Sequence, residues 1–506
     1  MATIVESIAF FNFAEGKTHE VSHNNIIIMK KNIFLWSLSL IALIGCTDSS
    51  ITDDSQKEPD YGTGNNPPLT FAVISDIHFG NEVAEGPMVK VPKALKNITS
   101  YGELDAMVVA GDLTNDGEPA QYEQLVATFK DETMFTNPVK DFFFLMGNHD
   151  NYSSNGKANY QNYLKPFNNG EPYPIFGYKV VKGYPFITVS TLNNHTHDLE
   201  HPSNGTNAYP ASTTQWLEET LAKASKECPG RPIFVFTHVP PRWTCYATWA
   251  EHENGVAWCM QPLNPVLNKY PQAIVFAGHS HYPVGDPRSI HQGANPNSPR
   301  NNYYTVINTG STTYAEIHPG AVDADENGMR PFRFAYVTEG LIVKELPNGD
   351  IEIRRYDTYR NVEIAADKPW IIKAPFDGSQ FTYADIRDAD DNPLNKTLYS
   401  GGEAPEFPEG TELSLFVAST SVKVTFPQAT DDDCVFRYSV KAFDSAGACV
   451  GSASVFSRFY LTSEMPSQLD QRITGLKSKT DYRVEVTAYD SYENASKTLV
   501  ATFTTN

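Results

Sequence analysis

Five times along the chain a short, unbroken run of apolar residues gives way to a cluster of turn-forming and polar ones. The runs are Phe71-Ala72-Val73-Ile74, Ala106-Met107-Val108-Val109-Ala110, Phe142-Phe143-Phe144-Leu145-Met146, Ile233-Phe234-Val235-Phe236 and Ala273-Ile274-Val275-Phe276-Ala277. Continuous apolar stretches of this length, bounded by turn residues, predict strands buried on both faces. Residues 213–226 carry Trp216, Leu217 and Leu221 at helical spacing and predict a helix that covers a core with one face. Residues 341–356 predict two strands around Pro347-Asn348-Gly349-Asp350, a late hairpin completing a sheet. Residues 375–410, rich in Asp, Gly, Pro and Asn, read as a linker. From Thr411 the pattern changes to alternation in Val422-Lys423-Val424-Thr425-Phe426, Phe436-Arg437-Tyr438-Ser439-Val440 and Tyr482-Arg483-Val484-Glu485-Val486. Residues 411–506 therefore predict an all-β sandwich. Read this way the sandwich is a separate module, and truncation after Pro375 should leave a folded domain behind.

The residues just past each of the five apolar runs carry the chemistry. The sequences are Asp76-Ile77-His78, Gly111-Asp112, Gly147-Asn148-His149-Asp150, His238 before Val239-Pro240-Pro241, and Gly278-His279-Ser280-His281. In open α/β sheets ligand sites collect beyond the carboxyl ends of the strands, so five strands can deliver these groups to one place. Three carboxylates, one amide and five imidazoles, with no thiolate, suit manganese, iron or zinc. They are too many for one ion. Two ions about 3.5–4 Å apart, bridged by a shared carboxylate, would use them, polarising a phosphoryl oxygen and activating a water for in-line attack. Any one of these motifs alone is usually an ordinary loop; the order of all five, each after a buried strand, carries the reading.

The series DxH, GD, GNH(D/E), H and GHxH resembles the calcineurin-like metallophosphoesterases, over roughly residues 68–365. The resemblance implies an α/β fold over residues 68–374, a four-layer α/β/β/α sandwich of two mixed sheets covered by helices. It implies that Asp76, His78 and His281 hold one metal, that Asn148, His238 and His279 hold the other, and that Asp112 bridges them, with water as the nucleophile. His149 is implied to be no ligand but to face the substrate, protonating the leaving oxygen or steadying the phosphoryl charge. Asp150 is then expected to orient His149 through a hydrogen bond, or else to cap the following turn. The serine/threonine protein phosphatases of this superfamily carry extra arginines beside the site. Here Asn151-Tyr152 comes next, with no basic residue until Lys157, which favours a phosphodiesterase or a small phosphomonoesterase. The layout is similar to that of bacterial cyclic-nucleotide phosphodiesterase-like and purple-phosphatase-like branches. In the C-terminal part, Tyr482 after the turn Leu476-Lys477-Ser478-Lys479-Thr480 resembles the tyrosine corner of fibronectin type III domains.

Between His238 and His279 an aromatic-rich insertion holds Trp243, Tyr246, Trp249 and Trp258. Leaving directly from a predicted ligand loop, it either overhangs the metals, with Trp243 and Tyr246 as candidate substrate contacts, or packs on itself as a small lid. His195, His197 and His201, in the loop over residues 193–210, read as solvated rather than as a third metal site.

The start of the chain predicts its destination. From Met29 two lysines, an apolar stretch from Ile33 to Ile44 and then Gly45-Cys46 form a secretory signal too short for a comfortable membrane span. Leu43-Ile44-Gly45-Cys46 resembles the bacterial lipobox, which implies a signal peptide over residues 29–45 and a lipidated Cys46 as membrane anchor. Residues 1–28 do not fit in front of a signal peptide and read as a gene-model extension. Residues 46–67 read as a flexible tether. Thr47 rather than Asp comes after the cysteine, favouring the outer membrane, and Asp48, Asp53 and Asp54 resemble the surface-export signals of some lipoproteins.

A net charge of −21 argues against nucleic acid or anionic surfaces as main partners, leaving a small phosphate ester as the expected ligand. The 506 residues, 41% of them hydrophobic, suffice for two or three full domains. Of six cysteines, those other than Cys46 are Cys228, Cys245, Cys259, Cys434 and Cys449. Cys245 and Cys259 flank one loop and could pair, free buried thiols being the alternative. The rival to an enzyme is a surface binding or adhesion lipoprotein in which the phosphoesterase fold is vestigial; seven intact candidate ligands weigh against it.

Overall fold

A computed structural model describes residues 68–81, 86–194, 208–246, 248, 262–293, 303–316, 333–334, 337–383 and 403–506. The signal, Cys46, the tether, His195, His197, His201, Trp249, Trp258 and Cys259 lie outside the described residues.

The first, second and third apolar runs become the parallel strands β1 (Thr70–Ile74), β2 (Leu104–Ala110) and β3 (Val139–Leu145). The second sheet contains β4 (Phe176–Val181), β5 (Tyr184–Val189), β6 (Ile233–Thr237), β7 (Ala273–Ala277), β8 (Ile290–Gln292) and β9 (Thr305–Asn308) in the order β4-β5-β6-β7-β9-β8. Its β5, β6, β7 and β9 are parallel, while β4 and β8 run antiparallel at the edges. After a short ribbon, β10 (Ala315–Glu316) with β11 (Arg333–Phe334), the chain returns to the first sheet through β12 (Glu339–Glu345), β13 (Ile351–Asp357), β14 (Val362–Ile364) and β15 (Trp370–Ile372). The predicted hairpin is β12 and β13, closed where Leu346 N donates to the Asp350 carbonyl at 2.8 Å. It does more than finish an edge, because β12 lies antiparallel beside β1 in the middle of the sheet.

Three buried layers of apolar side chains hold these elements together. Between the sheets, Phe71, Val73 and Val108 meet Phe186, Phe234 and Phe276, and the Phe71 ring lies 4.8 Å from that of Phe234. The outer face of the first sheet is covered by α1 (Pro87–Ile98), α2 (Pro119–Lys130) and α3 (Gly156–Tyr163), through Val91, Leu125 and Tyr160. The second is covered by α4 (Ala211–Glu227) and α5 (Asn264–Leu267), through Leu217, Leu221 and Leu267. Strands that face apolar layers on both sides have no polar face to alternate, which is why the runs are continuous. In the predicted helix Leu217 and Leu221 are buried, whereas Trp216 lies at the rim and stacks on Phe176 at 5.0 Å.

The stretch expected to be a linker begins as packed structure. Phe376 is buried in the layer between the sheets, and the Tyr383 carbonyl accepts from Gln292 N at 2.8 Å. The alternating region forms two antiparallel sheets. Their strands are β16 (Ser414–Val417), β17 (Ser421–Pro427), β18 (Val435–Asp444), β19 (Cys449–Phe456), β20 (Gln468–Thr474), β21 (Asp481–Asp490) and β22 (Leu499–Thr504), ordered β16-β17-β20 and β19-β18-β21-β22. Val424, Phe426, Val440 and Val486 fill the space between them. Lys477 N donates to the Tyr482 hydroxyl at 2.9 Å, tying the tyrosine back to the preceding turn.

The sandwich packs against the preceding domain. Phe436, Phe456 and Tyr460 share one buried cluster with Tyr246, Tyr282, Ala315 and Val337 of the preceding domain. Beside it Arg360 joins Asp357 at 3.0 Å and Glu464 at 2.8 Å. Truncation at Pro375 would leave these apolar faces in water. Cys245, Cys228, Cys434 and Cys449 are free thiols; that of Cys245 is buried and points to the carbonyls of Ser289 and Val306.

Candidate metal centre

The loops that leave β1, β2, β3, β6 and β7 turn sharply and converge. Asp76 N donates to the Gly111 carbonyl at 3.1 Å and His78 N to the Asp112 carbonyl at 3.0 Å, so the first two loops are laced together. Asp76, His78, Asp112, His279 and His281 have φ values of 55°, 43°, 48°, 68° and 50°. This left-handed region disfavours side chains and costs about 1–3 kcal/mol per residue, so the surroundings must enforce it. Two motif glycines owe their place to crowding. A Cβ on Gly147 would collide with Asp112 Oδ1, and one on Gly278 with Ser75 Oγ.

The result is a buried cluster of metal-binding groups. Asp76, His78, Asp112 and His281 offer ligand atoms within 4.8 Å of one another, and so do Asp112, His238 and His279. His281 Nε2 lies 3.0 Å from Asp76 Oδ1, His78 Nε2 3.6 Å and His238 Nε2 3.1 Å from Asp112 Oδ2. Asn148 joins the second group, its Oδ1 3.1 Å from His238 Nε2. His238 Nδ1 donates to the Ala110 carbonyl at 3.0 Å and His281 Nδ1 to that of Tyr314 at 2.9 Å. With Nδ1 committed as donor, each ring turns Nε2 inward, as a ligating imidazole requires.

The electrostatics fit a cation. Burial opposes the charge on Asp76 and Asp112, yet His281 beside the first and His238 beside the second hold both carboxyls below the usual range. Burial likewise opposes a charged His238, but Asp112 outweighs it and pushes the ring up to about 9. His78 is driven down to about 3 by burial. Protons shared with histidines thus do here what a cation can do better. Nitrogen and oxygen donors suit two ions: Asp76, His78 and His281 would hold one, Asn148, His238 and His279 the other, and Asp112 belongs to both groups.

His149 stands beside the cluster, its ring 4.6 Å from that of His78. Its orienting partner is not Asp150. The Asn115 carbonyl accepts from His149 Nδ1 at 2.8 Å, while the Asp150 carboxylate is spent on Leu113 N, Thr114 N, Thr114 Oγ1, Gly147 N and the Tyr122 hydroxyl, at 2.7–3.1 Å. Asp150 therefore joins the second and third loops to each other and acts on His149 only through the backbone.

Tyr246 is also not where substrate could reach it. It is buried, packed against the Tyr282 ring at 4.6 Å with the two planes inclined at 41°, and faces the sandwich. Trp243 is half-buried, with the Arg242 guanidinium 4.7 Å over its ring. Among the described residues, an aromatic that stands open beside the site is Tyr152, 48% exposed, its ring 4.5 Å from that of His149. Its hydroxyl accepts from Asn148 Nδ2 at 3.4 Å, which turns the amide oxygen toward His238. Tyr152 adjoins the third motif and could have been picked out there. Tyr314 and Asn115 act through main-chain carbonyls and leave no mark in the sequence.

Residues 69–283 match the calcineurin-like phosphoesterase family. A 3',5'-cyclic-nucleotide phosphodiesterase from Nostoc sp. is 26% identical over 230 residues, covering 42% of this chain and 72% of that protein. Among solved structures, the purple acid phosphatase of yellow lupin (Lupinus luteus) seeds is 13% identical with a TM-score of 0.41, over 64% of this chain and 57% of that one. PhoD is 11% identical with a TM-score of 0.36, over 62% of this chain and 69% of that one.

Proposed function

We propose that this protein, whose residues 69–283 match the calcineurin-like phosphoesterase family, is a phosphoric ester hydrolase that cleaves small phosphodiesters or phosphomonoesters at a centre of two metal ions, manganese, iron or zinc. The single observation that carries the two-ion reading is Asp112, whose carboxylate is common to both groups of potential ligands. Ions bound there would polarise the phosphoryl oxygen and activate a water for in-line attack. His149, with Nδ1 committed to the Asn115 carbonyl, has Nε2 left to carry a proton to the leaving oxygen. Asp150 keeps that turn in register from below. The half-exposed Tyr152 ring next to His149 offers a planar face, which favours esters whose leaving group is a nucleoside or an aryl alcohol.

The test is a substrate panel. Purified protein loaded with manganese should turn over bis-p-nitrophenyl phosphate and at least one of p-nitrophenyl phosphate and 3',5'-cyclic AMP, lose the activity on chelation and regain it on readdition. Protein that binds two ions yet hydrolyses none of the three would defeat the enzyme reading and leave the adhesion alternative standing.

We further propose that the enzyme is an exported lipoprotein of the outer membrane, tethered through Cys46 by residues 46–67. The reading rests on the basic, apolar and small-residue sequence from Met29 to Cys46. Among the described residues no helix is long and apolar enough to cross a membrane. Cys46→Ser should move the protein out of the membrane fraction or leave its signal uncleaved, as read by fractionation and intact mass. A correctly processed serine variant still found in the membrane pellet rules the anchor out.

A further inference from the structure

We propose that the C-terminal sandwich is part of the framework of the metal centre, with Arg288 and Phe436 as positioning residues for the ligand loop that carries His281. The inference rests on the two-metal reading of the site and adds to it what holds that loop in place.

Tyr282 is the residue directly after His281. Its backbone is held from one side by Asn308, whose Nδ2 donates to the Tyr282 carbonyl at 2.7 Å. Its side chain is held from the other. The ring packs at a tilt against Tyr246, and the hydroxyl donates to Asp286 Oδ2 at 2.7 Å. Asp286 is fully buried and takes two parallel bonds from Arg288, Nε to Oδ1 at 3.0 Å and Nη2 to Oδ2 at 2.7 Å. Such a fork fixes orientation as well as distance. The guanidinium then lies over two aromatic rings, 3.8 Å from the Tyr246 centroid and 4.8 Å from that of Phe436. Phe436 belongs to β18 of the sandwich and packs with Phe456 and Tyr460 in the shared cluster. A continuous series of contacts thus runs from the sandwich through Arg288, Asp286 and Tyr282 to His281.

This matters because the loop does not rest in a relaxed conformation. His279 and His281 are both left-handed, and a backbone of that kind persists only where neighbouring structure leaves it no alternative. The sheet constrains one side of the segment; the sandwich, through Arg288 and Phe436, constrains the other. A sandwich that served only to bind a partner would need no contact with the residue after a ligand.

The experiment uses the full chain. Phe436→Ala and Phe436→Leu are compared with Val424→Ala, which weakens the sandwich core away from the interface, by metal titration with mass-spectrometric metal counting, and by thermal unfolding. Wild type should hold two ions. Phe436→Ala, folded at the assay temperature, should bind one of them roughly 10- to 100-fold more weakly, the loss typical of removing a group that orients a ligand. Phe436→Leu, which keeps most of the volume but not the aromatic face, should shift in the same direction by less, and it decides the matter if the alanine variant does not fold. Val424→Ala should lose thermal stability with both metal affinities unchanged. Phe436 variants with wild-type metal affinity overturn the inference, as does an equal loss of metal in Val424→Ala, which would mark a global effect. A wild type holding fewer than two ions instead defeats the metal-centre reading itself.

Discussion

Asp112→Asn is expected to leave fewer than two metal ions per chain and no measurable turnover of bis-p-nitrophenyl phosphate. The substitution keeps the shape of the side chain. Asp112 Oδ1 accepts from His149 N at 2.9 Å, a bond an amide oxygen can still accept, so the loop should stay in place. The anion between the two groups disappears, since Oδ2 is the atom nearest His238 Nε2, at 3.1 Å, and lies 3.6 Å from His78 Nε2. An amide nitrogen there donates where a bridging ligand must accept. Loss of a partner that merely supports a ligand costs about 10- to 100-fold in metal affinity, and loss of a ligand shared by both ions should cost more. Metal counting on purified protein, with circular dichroism to confirm folding, checks this. Full occupancy and normal turnover would remove Asp112 from the bridge.

His149→Ala should keep both ions and lose activity according to the leaving group. Proton transfer by a placed side chain typically contributes about 10²- to 10⁴-fold. A nitrophenolate departs without a proton, whereas the alkoxide of a nucleoside or sugar does not. The variant should therefore fall by most of that range on alkyl phosphate esters and by much less on nitrophenyl esters. An equal fall on both classes, with metal retained, would make His149 a stabiliser of phosphoryl charge. Loss of metal would make it a ligand, despite its position outside both ligand groups.

The elements that carry this chemistry were legible in the sequence for a physical reason. Strands such as β6 and β7, enclosed by apolar layers on both faces, have little choice but continuous apolar residues. A metal likewise requires particular side chains, so Asp76, His78, Asp112, Asn148, His238, His279 and His281 stand out by type and order as candidate ligands. The features that sequence misplaces depend on partners that leave no signature. Asp150 is the neighbour of His149 in sequence, but its carboxylate turns back to Leu113, Thr114 and Gly147, and the bond that holds the imidazole comes from a carbonyl any residue could have supplied. Alternation put Phe436 on the buried face with Tyr438 and Val440. Lying near the start of β18, however, Phe436 leaves the sandwich core for the shared cluster, and period alone cannot tell those two interiors apart. Tyr246 was assigned to substrate because its segment leaves a ligand loop, and nothing in the sequence shows that its ring turns toward the sandwich instead.

The left-handed backbone at Asp76, His78, Asp112, His279 and His281 sets folding against metal binding at the same positions. At about 1–3 kcal/mol each, the strain at five positions reaches the order of a domain's whole net stability, about 5–15 kcal/mol. Replacement by glycine at any of them would relax the backbone and remove a candidate ligand in the same step. At all five positions the backbone conformation that disfavours a side chain coincides with a side chain that a metal ion would use, so local folding and metal binding ask for different residues there.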